Sequence, residues 1–285
     1  MRKNRASLHS LRRDRKAVSP AISTVILTSA VVVLLVVTIA FANNFLDARM
    51  AENEFSAMEQ FMQTVGLQID DVAWIIGRTQ TIRYASKFGQ VSFENETLVY
   101  SIYVDKPGQE DVLVASYSVG VLLFNMPVSR YSLGNNYYES IFPSDRSFLQ
   151  KGTSAPVSRV YVVEELPMRD GNFIRIVVAP IIRMLDPISM GGSENNYFKF
   201  FLPVLSNGTS PYKSQSVTLT GRNVLVKTEG SVTAVNITVS FPRTGEWFGS
   251  EFFNFDNEEK VVDVPDGSVI EFYTSEVSVS LGLHA

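Results

Sequence analysis

The chain has 285 residues and a mass of 31.7 kDa, enough to bury a sizeable core in one large domain or two ordinary ones. Hydrophobic residues are 45% and charged residues 19%, which excludes a disordered polyelectrolyte, and the absence of cysteine excludes disulfides and thiolate chemistry. The only histidines are His9 and His284, so a Ser-His-Asp triad, a His-rich zinc site and an HExxH helix are not expected.

The N-terminus is basic: Arg2, Lys3, Arg5, Arg12, Arg13, Arg15 and Lys16 are opposed only by Asp14. From Ala17 to Leu46 there is no charged residue, and residues 25–42 are almost purely aliphatic. An apolar helix of roughly 20 residues crosses a bilayer. Three readings fit this segment. A cleaved secretory signal would use Ala40-Phe41-Ala42, but such signals have cores of about 7–15 residues, shorter than this run. A plain membrane anchor would keep the basic end cytoplasmic and export the rest. The third reading rests on the junction.

The junction reads Arg15-Lys16-Ala17-Val18-Ser19-Pro20. Ser19 is a good N-cap and Pro20 suits the first helical position, so a helix start is expected there. This order of charge, small residue and Ser-Pro resembles the N-terminal domain of archaeal type IV pilins and pilin-like proteins, with a class III (prepilin-type) signal. The resemblance covers residues 12–42. It implies that a prepilin peptidase recognises Lys16-Ala17 and leaves Val18 as the first mature residue. It also implies sister subunits and a pilus assembly ATPase with its platform as partners. The fifth mature position, a glutamate in many bacterial pilins, is Ile22 here, so no ion pair to a new N-terminus forms from that place.

Beyond the apolar run the pattern turns amphipathic. Apolar residues at Phe55, Met58, Met62, Val65, Ile69, Val72 and Ile76 step by alternating threes and fours, the spacing of a helical seam. Asp47, Glu52, Glu54, Glu59, Gln60 and Gln63 take the other faces, Asn43-Asn44 is a weak helix-forming point, and Gly77 is the expected stop. The expected organisation is a basic leader at 1–17, a transmembrane or assembly helix at 18–42, its amphipathic continuation at 43–77, and an exported domain at 79–285.

The exported part is rich in Val, Ile, Tyr, Phe and Thr. Strands are expected at 98–104, 112–124, 159–166, 173–179, 198–205, 216–219, 224–227, 232–241, 261–264, 269–273 and 277–281. Pro107-Gly108, Asp170-Gly171, Asn207-Gly208 and Pro265-Asp266-Gly267 supply turns, the last as a hairpin over 262–272. Residues 183–196 read as a connection that could divide two subdomains, and the aromatic stretch 246–255, with Trp247, as a short helix or loop cap. The fold class is therefore α+β: a long N-terminal helix, then a mostly antiparallel, sandwich-like β domain. Three N-x-T tripeptides, at Asn95, Asn207 and Asn236, are candidate glycosylation sites, Asn207 foremost because it sits on a turn.

Catalytic chemistry is not expected. The carboxylate pairs Asp70-Asp71, Glu164-Glu165 and Glu258-Glu259 point to different faces and read as solvated surface charge. Asp263 and Asp266 lack the spacing of a calcium loop, and Gly191-Gly192 lacks the Lys-Ser/Thr of a phosphate loop. No cofactor, metal or nucleic-acid partner is expected. The expected function is structural: a pilin-like subunit of a homo- or hetero-polymeric cell-surface filament. The alternative is a single-pass anchored surface or binding protein that does not polymerise. Of the chain's 25 basic and 29 acidic residues the leader holds seven and one, so the mature chain would carry 18 and 28, a formal charge of −10 in place of −4.

Overall fold

A computed structural model of the chain describes residues 11–166, 171–189, 196–208, 216–245 and 248–282, without the side chains of 11–21, 186–189 and 196. Two units are distinguished, Met1–Met50 and Ala51–Ala285. Helix α1 spans Leu11–Ala73 as a single element. It is continuous through Asn43-Asn44. The expected start at Ser19-Pro20 is corrected: the helix is already formed at Leu11, so Ser19 does not cap it. Arg12, Arg13, Arg15, Lys16 and Ala17 are good helix formers, and Pro20 forfeits its own N–H bond within the element. The leader up to Ser10, and the side chains of Lys16, Ala17, Val18, Ser19 and Pro20, lie outside the described residues.

The second unit is mostly strand. In chain order the strands are β1 Thr79–Arg83, β2 Gln90–Lys106, β3 Gln109–Pro127, β4 Tyr137–Phe142, β5 Leu149–Lys151, β6 Ser158–Glu164, β7 Phe173–Pro180, β8 Ile182–Ser189, β9 Asn196–Asn207, β10 Ser216–Ser240 and β11 Glu259–Leu281. A short helix, α2 Ser250–Phe253, precedes β11. The α+β class is as expected. The strands join one hydrogen-bonded sheet, in the order β4-β6-β7-β3-β2-β10-β11-β9-β8-β5, with β1 paired to β10. All pairings are antiparallel except β9 with β11 and β5 with β8. β9 also packs against β2, β3 and β7, which are not its hydrogen-bonded neighbours, so the sheet folds back over its own face.

The two layers of the domain are therefore parts of one continuous sheet. The expected strands 216–219, 224–227 and 232–241 merge into β10, and the expected hairpin over 262–272 is one irregular strand, β11. Val232 pairs with Ser268 while Ala234 pairs with Asp263, so residues 264–267 form a bulge, with Gly267 at φ +82°. Long bulged strands carry the ladder from one wall to the other. Val217 and Leu219 at one end of β10 face the helix, and Val235, Ile237 and Val239 at the other end face the interior. Strands β1, β4 and β5 are too short to stand out in the sequence, and β8 is interrupted by Asp186-Pro187, which reads as a connection. Residues 183–196 are not a domain break: β8 and β9 are antiparallel neighbours in the same sheet, and residues 190–195 of their connection lie outside the described residues.

Both faces of the central strands are buried. Val121 and Leu123 of β3, with Val177 and Ala179 of β7, join the interior core with Tyr100, Phe200 and Phe272. Their neighbours Leu122, Phe124, Ile176 and Val178 face the other way, onto the helix. Alternate residues point to opposite faces, so a strand covered on both sides reads as an unbroken apolar run. Stretch 246–255 contains α2, and Phe248, Phe252 and Phe253 seal the interior core; Trp247 lies outside the described residues. Buried Arg159 ties this cap down. Its Nη1 donates to the Phe253 carbonyl at 3.1 Å, its Nη2 donates to the Tyr138 hydroxyl, and its guanidinium stacks 5.1 Å from the Tyr161 ring centre.

Candidate functional site

The apolar part of α1 has no buried face. Fifteen large hydrophobic side chains between Ile22 and Leu46 are exposed, among them Leu27 at 67%, Leu34 at 65% and Phe41 at 71%. Fully burying such a side chain is worth about 1.5–3 kcal/mol, so the set amounts to on the order of 20 kcal/mol or more. That exceeds the ~5–15 kcal/mol net stability of an ordinary domain, so water is a poor solvent for this helix. Three of its hydroxyl side chains are turned inward on the backbone. Thr28 donates to the Thr24 carbonyl at 2.8 Å, Thr38 to the Leu34 carbonyl at 2.7 Å, and Ser29 to the Val25 carbonyl. Back-bonding of this kind satisfies hydroxyls without water. The helix is long and apolar enough to cross a membrane once.

The later part of α1 is packed on the sheet. Phe55, Met58, Met62, Val65, Ile69 and Val72 are all 2% exposed or less, together with Ala51 and Ala73. They meet Leu122 and Phe124 of β3, Val160 and Val162 of β6, Ile176 and Val178 of β7, and Val217 and Val279. The seam expected from the spacing is therefore buried, with one correction. Ile76 is 66% exposed and lies beyond the helix, which ends at Ala73. The chain leaves the helix there because Ser275 donates its hydroxyl to the Ala73 carbonyl and β1 must reach β10. The Gly77 N–H donates to the Gly221 carbonyl at 2.8 Å, and the Gly221 N–H to the Arg78 carbonyl at 2.9 Å. A Cβ on Gly221 would stand 2.5 Å from the Val72 carbonyl oxygen, so only glycine admits this crossing.

Three contacts that spacing did not foretell fix the docked helix. Gly66 meets β6 so closely that a Cβ would lie 2.7 Å from Val160 Cγ2, and Ser158 donates to the Gly66 carbonyl at 2.8 Å. Asp70 accepts from Trp74 Nε1 at 2.7 Å and from Arg183 Nη1 at 2.8 Å, so it is not a free surface charge. Glu54 accepts from the Ser86 hydroxyl at 2.6 Å and from the N–H groups of Lys87 at 2.9 Å, Phe88 at 2.9 Å and Gly89 at 3.1 Å. Burial pushes the Glu54 carboxyl up, but these donors outweigh it and hold its pKa below the ordinary carboxylate value. Glu59, on the same helix, is pushed up by burial and by the charge of Glu139.

Glu164 repeats the Glu54 device. It is fully buried and accepts from the Ser132 hydroxyl at 2.5 Å and the Leu133 N–H at 2.7 Å, which corrects its reading as solvated charge. The reason is that a turn at 132–134 offers donors that water would otherwise fill. A lone glycine in an amphipathic helix was the one sequence signal for any of these contacts.

The three N-x-T asparagines are placed differently. Asn95 is exposed in an irregular part of β2, Asn207 is exposed at the end of β9, and Asn236 lies within β10, its Nδ2 donating to Glu259 at 2.6 Å. A concavity of about 410 Å³ is lined by Asp145, Ser147, Lys151, Asp256 and Lys260, and Ser147 there donates to the Leu149 carbonyl at 3.0 Å, not to a side-chain base. Among the described residues no three His, Asp or Glu side chains converge on a cation position. No family model matches the chain, and neither the curated proteins nor the solved structures compared with it give a match.

Proposed function

We propose that the chain is a pilin-like structural subunit, processed after Ala17 by a prepilin peptidase and assembled through its N-terminal helix into a cell-surface filament. The observation that carries this reading is the division of labour along α1. Its later part already has a partner in the sheet, whereas from Ile22 to Leu46 its apolar side chains are exposed on every face. An anchor of this length serves a membrane first. With the basic stretch on its cytoplasmic side, the unit Ala51–Ala285 is exported. The same surface, largely apolar and with the Thr28, Ser29 and Thr38 hydroxyls bonded back to the helix, also packs against copies of itself in a fibre, where burial is favoured by about 25 cal/mol per Å². Partners in this scheme are the membrane, the peptidase, sister subunits and an assembly ATPase with its platform.

The test is physical. A C-terminally tagged chain, sheared from its cells, is expected in a sedimentable fibre fraction. A chain that stays wholly with the membranes after shearing is an anchored surface protein, and the filament reading fails.

A further inference from the structure

We propose that Asn95 carries an N-linked glycan, and that the glycan is attached before β2 and β3 pair. The inference rests on the export reading and adds a site and an order of events to it. Asn95, Glu96 and Thr97 lie where the β2–β3 register shifts between Glu94 and Leu98, with Glu96 at φ +53°. The bulge throws Asn95 and Glu96 into solvent, and the Asn95 side chain makes no hydrogen bond among the described residues. A sugar on its Nδ2 therefore displaces nothing.

Thr97 is in the opposite condition. It is 0% exposed, and its hydroxyl lies within donating distance of the Val119 carbonyl of β3 at 3.3 Å and of the Glu94 carbonyl at 3.5 Å. The hydroxyl of an N-x-T acceptor is part of what a transferase reads. In the folded chain it is hidden and committed, so Asn95 is a substrate only while the β2–β3 hairpin is open. Asn236 offers the contrast. Its Nδ2 is held by Glu259 and its Oδ1 is buried, so a glycan there would have to break the ladder side-chain pair it sits in. The transfer joins Asn95 Nδ2 to the anomeric carbon of an oligosaccharide carried on a polyprenyl phosphate. The bond from that carbon to the phosphate oxygen breaks, the lipid phosphate leaves with the electron pair, and a base of the membrane transferase takes the amide proton.

The experiment is glycopeptide mass spectrometry on the full chain from its own host, beside the variant Asn95→Gln, with external protease applied to intact cells. The expected result is a protease-accessible chain whose Asn95 peptide carries a sugar mass, with Asn236 bare and the Asn95 mass absent in N95Q. An accessible chain with bare Asn95, or with a glycan on Asn236 instead, overturns this proposal alone. A chain that protease cannot reach overturns the export reading and this proposal with it. For the order of events, host membranes with their own lipid-linked oligosaccharide are offered a peptide of residues 92–98 and the purified, unglycosylated full chain. The peptide is expected to be modified at least tenfold faster, and equal rates overturn the ordering.

Discussion

Gly66→Ala sets two effects of known sign against each other. In an open helix the change is favourable by about 0.8–1.0 kcal/mol, because Ala loses less conformational freedom than Gly. At this position the new methyl would stand 2.7 Å from Val160 Cγ2 and 3.1 Å from Ser158 Oγ, whose hydroxyl donates to the Gly66 carbonyl. Crowding of that kind costs about 1–3 kcal/mol. The net expectation is a loss of about 0–2 kcal/mol. Val160→Ala removes the atom in the way, and the next side-chain carbon, Val178 Cγ1, is at an ordinary 3.7 Å. In that background only Ser158 Oγ, at 3.1 Å, still crowds the methyl, so Gly66→Ala should be less costly than in the wild type, a favourable coupling of about 1–3 kcal/mol between the two changes. Urea unfolding of the four full-length species in mild detergent, followed by near-ultraviolet circular dichroism, measures it. Equal stabilisation by Gly66→Ala in both backgrounds would refute a helix seated directly on β6.

Ile69→Ala, at a side chain 0% exposed, should cost about 2–5 kcal/mol. Ile76→Ala should stay within about 0.5 kcal/mol because Ile76 is 66% exposed beyond the helix end; thermal melts of both separate the true seam from its apparent last member. Leu34→Arg should lower membrane retention, since a charge at the centre of a span costs about 2.5–3.5 kcal/mol, and carbonate extraction reads this out. The Glu54 pKa is lower folded than unfolded, so its stabilisation is complete above the unfolded value and is lost as pH falls through the folded one. The stability difference between the wild type and Glu54→Gln should therefore be largest near neutral pH and shrink on acidification, and a difference that grows in acid would contradict the loop clasp.

The long helix and the α+β division were legible because they rest on local patterns. Charge ends at Lys16, apolar residues run to Leu46, and the seam from Phe55 to Val72 repeats at helical spacing. The sheet was legible as strands and not as a topology. Pairing depends on contacts far apart in sequence, such as Val217 with Leu281, or Val269 with Tyr197 in a parallel pair. Turn residues misled where they serve bulges: Asp266-Gly267 sits within β11 and does not reverse the chain. Ile76 failed because periodicity cannot know where a hydroxyl from β11 ends the helix. Glu54, Glu164 and Arg159 were invisible as structural residues, since nothing in a charged side chain's neighbours along the chain announces the distant loop it will hold.

The central claim concerns the apolar helix and the leader before it, and the mass of the mature N-terminal peptide tests it most directly. Chain isolated from its own cells should begin at Val18, with Lys16 or Ala17 substitutions blocking that cut. An intact leader would make the helix a plain anchor, and a start at Asn43 would make the apolar stretch a discarded secretory signal; either result contradicts the account.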